Sequence, residues 1–219
     1  MDPRKPPEYI LEVFADPTYV RDIVKEQQTQ EWLLFDPKCA DISTIAGILH
    51  TIFFHRFFPC IRPTALEVLD FTLPAIEDVE LETLIDSRVN ALVRQHLSSS
   101  ANSPNGGVRG RIAVQFFEKR RRNAERWFGG FPGKNEDEIC WEIWTLDVTI
   151  ATPRTESDRA KVRKAMEKML QKAALKIVAI VNRDNDHIPT ITTSDANPFP
   201  YQIVLNPKMD NWGNRLGLY

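Results

Sequence analysis

The sequence predicts an α+β fold in which a mostly antiparallel sheet is covered by three helices. Two observations carry this. Residues 111–116 and 144–150 alternate apolar and polar side chains with period two, as strands with one buried face must. Three longer stretches instead space their apolar residues by three and four, or are apolar nearly all round, as buried helices are. Strands interleaved with such helices give a sheet-and-helix sandwich, although sheet order is not legible from spacing alone.

Residues 1–7 are polar and proline-rich and read as a flexible N-terminus. Tyr9 to Phe14 reads as a first strand. In Asp16 to Asp41, Tyr19, Ile23 and Val24 suggest one helical turn, and the segment around 26–41 reads as an insertion. Ile42 to Phe58 carries Ile45, Ile48, Leu49, Ile52, Phe53, Phe54 and Phe57, so its length and apolar content favour a buried helix closed by Pro59. Leu66 to Phe71 reads as a short strand. Ile76 to Leu97 reads as a helix with Leu81, Leu84, Ile85, Val89, Leu92 and Val93 on one face.

Ser98 to Gly110 is rich in Ser, Asn and Gly and reads as a surface loop. Ile112, Val114 and Phe116 then alternate with Arg111, Ala113 and Gln115. Trp144, Leu146, Val148 and Ile150 alternate with Thr145, Asp147 and Thr149, and the two stretches form an antiparallel ribbon. On a regular strand Trp141 and Trp144, three apart, point to opposite faces, with Trp144 in the core. Thr155 and Asp158 form a capping box that opens a helix carrying Val162, Met166, Met169, Ala173, Ile177 and Ile180. Tyr201 to Leu205 is a last strand, so 8–205 reads as one domain and 206–219 as a C-terminal tail.

Composition narrows the function. The chain has 219 residues, 42% hydrophobic and 26% charged, with a net charge of −2. It therefore lacks the basic footprint of a dedicated nucleic-acid binder. Its three cysteines, Cys39, Cys60 and Cys140, are odd in number and widely spaced, as reduced thiols of a cytoplasmic protein are. No apolar run reaches the roughly 18 residues of a membrane span.

Motifs of catalysis are absent: there is no G-x-S-x-G, no phosphate-cradling G-x-x-x-x-G-K and no H-E-x-x-H. His50 and His55 share a helix but lie about 140° apart, which rules against joint metal ligation. Asp184, Asp186 and His187 are the one carboxylate and imidazole group that could serve an enzyme or a cation, against a simpler reading as a polar cap. Cys140 has Glu136, Asp137 and Glu138 as neighbours, which oppose a thiolate.

Two features remain. The basic run Lys119, Arg120, Arg121 and Arg122, followed by Arg126, either meets phosphates on an acidic surface or is a solvated strand end balanced by Glu136 to Glu138 across the ribbon. Next to it, Arg126-Trp-Phe-Gly-Gly-Phe-Pro-Gly133 places Trp127 and Phe128 in a glycine-rich connection. Turn chemistry does not call for large aromatic residues there. Either the rings fold over the ribbon, or they protrude as a binding anchor, a role in which Trp is over-represented.

Six pieces, in order, resemble one family, the HORMA-domain proteins of autophagy initiation called autophagy-related protein 101. They are Ile48-Leu-His-Thr-Ile-Phe-Phe-His-Arg56, Leu69-Asp-Phe-Thr72, Phe116-Phe-Glu-Lys-Arg-Arg-Arg122, Arg126-Trp-Phe128, Trp141-Glu-Ile-Trp-Thr145 and Ile177-Val-Ala-Ile-Val-Asn-Arg183. The resemblance implies a HORMA fold and an adaptor without catalysis, cofactor or metal, located in the cytoplasm and at the preautophagosomal structure. It implies a heterodimer with the HORMA domain of autophagy-related protein 13 within the autophagy-initiation kinase complex. It also implies a finger that recruits downstream autophagy factors, falling on Trp127 and either Phe128 or Phe131. In the family a proline separates the two aromatic residues, whereas here they are adjacent. For the dimer interface, polar residues beside apolar helix ends are the candidates: His55, Arg56, Asn182 and Arg183.

Overall fold

Alternation and helical spacing act on the chain as elementary packing requires. The computed structural model describes residues 5–16, 42–58, 62–99, 108–121, 136–151, 153, 155–191 and 198–207. Along them run β1 (Glu8–Ala15), α1 (Ile42–Arg56), β2 (Pro63–Val68), β3 (Phe71–Ile76), α2 (Val79–Ser99), β4 (Val108–Arg121), β5 (Glu136–Ile150), α3 (Glu156–Arg183) and β6 (Tyr201–Leu205). Four strands form one sheet in the order β1-β5-β4-β6, and β2 and β3 form a separate hairpin. Two of the three pairings in the large sheet, β4 with β5 and β4 with β6, are antiparallel, while β1 runs parallel to β5.

The ribbon follows its pattern. Trp144, Leu146, Val148 and Ile150 are buried beside Ile112, Val114 and Phe116. On the opposite face Arg111 and Asp147 sit opposite one another and pair at 2.6 Å. Ala113 and Ile143 are buried there as well, so this part of the sheet is covered on both sides. β4 begins at Val108, earlier than the Ser-rich composition before it implies.

Helix α1 is the centre of the core. Ile45, Ile48, Leu49, Ile52 and Phe53 are each at most 1% exposed, which its nearly all-round apolar sequence requires. It packs against α2, α3, β1 and the β2–β3 hairpin. At Gly47 the hairpin comes so close that an added Cβ would stand 2.9 Å from both Leu73 and Val68.

Helix α3 opens as its capping box dictates. Thr155 is extended, with φ −119° and ψ 157°, and its hydroxyl accepts from the Asp158 amide at 3.1 Å. Met166, Leu170, Ala173, Ile177, Ile180 and Val181 form its buried face.

Three readings need correction. The single strand expected at Leu66 to Phe71 is a hairpin, with Val68 opposite Phe71 and Leu69-Asp70 as its turn. Leu69 has a φ of 54°, a conformation that usually calls for Gly or Asn, so its turn left no compositional trace. Ile76 ends β3 rather than opening a helix. The helix starts at Val79, where the Asp78 carboxylate accepts from the Leu81 amide at 2.9 Å. Finally, Trp141 does not face away from Trp144. Phe116 pairs with Glu142 and Phe117 with Cys140, leaving Trp141 as the extra residue of a β-bulge. Such a bulge turns both of its residues toward the face of the residue opposite, and Trp141, 6% exposed, joins the same core as Trp144.

Candidate functional site

Two of the polar residues named from the sequence, Arg56 and His187, meet at one carboxylate. Glu142 lies in phase with Trp144, Leu146 and Val148, so β5 directs it into the core, where it is fully buried. An isolated carboxylate there would be costly. Arg56, from the last turn of α1, meets it: its Nε donates to Glu142 Oε1 at 2.9 Å and to Oε2 at 3.1 Å. The Trp144 indole N–H donates to Oε1 through a very short bond. His187 Nε2 lies 2.6 Å from Oε2 and, against a carboxylate acceptor, carries the proton.

The cluster extends to the end of α3. Arg56 Nη2 donates to the Asp184 backbone carbonyl at 3.1 Å, which ties the end of α1 to the end of α3. The Asp184 side chain accepts from the Tyr9 hydroxyl at 3.2 Å and from both Arg183 Nε and Nη2 at 2.7 and 2.8 Å. Aromatic rings enclose the network: Tyr9 packs against Trp144 at a 43° tilt with centroids 4.8 Å apart, and Trp141 contacts Phe116, Phe199 and His187. In so apolar a setting each charged hydrogen bond gains strength and each missing one costs more.

The electrostatics follow from these contacts. Bonding to the Arg183 guanidinium holds the Asp184 carboxyl down at about 2, with Tyr9 and His187 helping. Burial, together with the negative charge of Asp184 and Glu142, pushes the Tyr9 hydroxyl up to about 12. Burial followed by the neighbouring Arg56 charge lowers His55 below the usual imidazole value. Burial raises the Cys140 thiol to about 11, with the Glu142 charge adding to it. Cys140 is therefore no thiolate nucleophile, and burial decides this more than the acidic neighbours in sequence.

The sequence candidates separate clearly. Arg56, Arg183, Asp184 and His187 belong to one network, which consumes Asp184 and His187 as structural partners. Asn182 and Arg183 are exposed at its outer edge, His55 is half-buried, and Arg56 is only 3% exposed. Among the described residues no group of three His, Cys, Asp or Glu side chains could hold a metal ion. The basic run lies on β4, where Lys119 is opposite Glu138, Arg120 opposite Asp137 and Arg121 opposite Glu136. Arg120 also bonds Glu118 at 3.0 Å. Arg122, Arg126, Trp127, Phe128 and Phe131, like the insertion around 26–41, lie outside the described residues. Glu142 itself went unflagged, although a carboxylate in phase with a row of core residues was a signal for a buried cation.

The family model for autophagy-related protein 101 matches residues 38–195, from just before α1 to just past the Asp184 and His187 end of the network. The chain belongs to the autophagy-related protein 101 family. Relatives bearing that name support this. One from Arabidopsis thaliana is 22% identical over 182 residues, covering 75% of this chain and 80% of its own. One from Schizosaccharomyces pombe is 25% identical over 173 residues, covering 78% and 83%. The human protein is 26% identical over 149 residues, covering 63% and 62%. An autophagy role follows from membership of the autophagy-related protein 101 family. The sheet backed by three helices is its HORMA-type architecture, and no helix among the described residues is long and apolar enough to cross a membrane.

Proposed function

We propose that this chain is a non-enzymatic adaptor of autophagy initiation, paired with the HORMA domain of autophagy-related protein 13 in the initiation kinase complex and acting in the cytoplasm and at the preautophagosomal structure. The observation that carries the reading is the Trp127-Phe128 pair in the sequence that connects β4 and β5, two strands paired in a long antiparallel ladder. Trp127 and Phe128, or Trp127 and Phe131, serve as the anchor for downstream factors. Family membership supports the autophagy context.

His55, Asn182 and Arg183 are the proposed contacts of the dimer, and Arg56 positions them by holding the ends of α1 and α3 together. The rival reading, a phosphate or membrane contact on Lys119 to Arg126, is disfavoured by the acidic residues opposite Lys119 and Arg120. Single alanine variants of Trp127, Phe128 and Phe131 test the anchor in the purified heterodimer. Loss of downstream-factor binding with an unchanged melting temperature is expected for Trp127 and one of the two phenylalanines. A drop in melting temperature without loss of binding would make the rings structural.

A further inference from the structure

Helix α3 carries a second surface of a different chemistry. Lys161, Lys164, Lys168, Lys172 and Lys176 are all exposed. At 100° per residue they fall within a 120° arc opposite the buried face and run for about 22 Å along the helix. Lysines four apart repel one another, so this row works against the helix that bears it. The arginines of the same helix are treated differently: Arg159 pairs with Glu156, and Arg163 with Glu167 and Asp70. Lys161 only approaches Asp158, at 4.0 Å, and Lys176 donates to the Ile10 carbonyl at 2.8 Å. For Lys164, Lys168 and Lys172 no carboxylate partner exists among the described residues.

Apolar side chains accompany the charges. Leu175, 64% exposed, lies within the lysine arc. On the opposite flank of the row from Leu175, a cavity of about 280 Å³ opens between β1 and α3, lined by Ile10, Leu11, Glu12, Lys172, Ala173 and Lys176. Ile10 is its exposed apolar side chain, two lysines flank it on the helix side, and Glu12 stands on the strand side.

We propose that this face of α3 binds an acidic, linear protein segment, whose carboxylates follow the lysine row while one apolar side chain enters the groove against Ile10. Charge complementarity selects the sign of the partner. The concavity selects its kind, because a flat lipid surface meets a lysine row but cannot fill a groove beside it. Glu12 sets the direction across the groove, drawing carboxylates to the helix side. This surface is separate from the Trp127 connection and does not depend on the role proposed for it.

The test uses the full chain and a fluorescent peptide of Asp and Glu with one central Leu. Anisotropy should report binding that weakens as salt rises. Changing Lys164→Gln, Lys168→Gln and Lys172→Gln together should weaken it by about tenfold or more, with the far-UV circular dichroism of the chain unchanged. Replacing the peptide's Leu by Ser should weaken binding at the groove independently of charge. No binding at low salt, equal binding by the triple variant, or capture of phosphatidylserine vesicles but not the peptide would each overturn the proposal.

Discussion

Changing Glu142→Gln removes the charge on which Arg56, Trp144 and His187 converge while preserving the side-chain shape. The carboxylate is fully buried and its partner Arg56 is 3% exposed, so water cannot replace it. Leaving one partner of a buried ion pair uncompensated costs about 3–5 kcal/mol. The amide still offers one acceptor to Arg56 or Trp144, which places the expected loss near the lower end, about 3 kcal/mol. At about 2–4 °C per kcal/mol for a domain of this size, the melting temperature should fall by about 6–12 °C. Urea titration followed by tryptophan fluorescence reports the loss, since Trp144 is bonded to the group that changes. A cycle adding Arg56→Met should show coupling of about 1 kcal/mol or more, because the second change removes the stranded cation. A Glu142→Gln loss below about 1 kcal/mol, or strictly additive variants, would mean that the Glu142–Arg56 pair does not hold the end of α1 to β5.

Three further outcomes are expected. Thr155→Ala removes the hydroxyl that caps α3 and should cost about 1 kcal/mol in urea. Gly47→Leu drives a side chain into Leu73 and Val68, so it should destabilise by about 1–3 kcal/mol and lower the yield of folded protein. Asp184 binds its proton more weakly in the fold than its ordinary 3.8, so its stabilisation is present above that value and is lost as pH falls toward about 2. Tyr9 binds its proton more tightly than its ordinary 10.0, so its contribution is intact below that pH and is lost as pH rises toward about 12. Melting temperature against pH should therefore fall at both limits, with a shallower acid limb in Asp184→Asn and a shallower alkaline limb in Tyr9→Phe.

Local patterns were legible wherever one residue type does one physical job. The Thr155 cap, the spacing of Met166 to Ile180 and the alternation of Ile112 to Phe116 each reach the fold unchanged, because neighbours in sequence decide them. The β2–β3 hairpin escaped because Leu69 holds its positive φ without glycine, its side chain packed against the core. Trp141 was assigned to the wrong face because a bulge shifts phase without changing composition. The parallel pairing of β1 with β5 joins residues more than a hundred positions apart, which no local pattern encodes. The same distance hid the charge network: Arg56 and Glu142 are 86 residues apart, and each alone resembles a surface charge. What could be read was Glu142's phase, a carboxylate among core positions, which demands a partner somewhere in the chain.

The central claim is that a stable folded body carries Trp127 and Phe128 as an anchor separate from its dimer face. Quantitative co-purification of the full-length chain from its own cells, wild type beside Trp127→Ala with Phe128→Ala, tests this directly. Autophagy-related protein 13 should be recovered equally with both, while downstream autophagy factors are lost from the variant. Loss of autophagy-related protein 13, or undiminished recovery of the downstream factors, would contradict it.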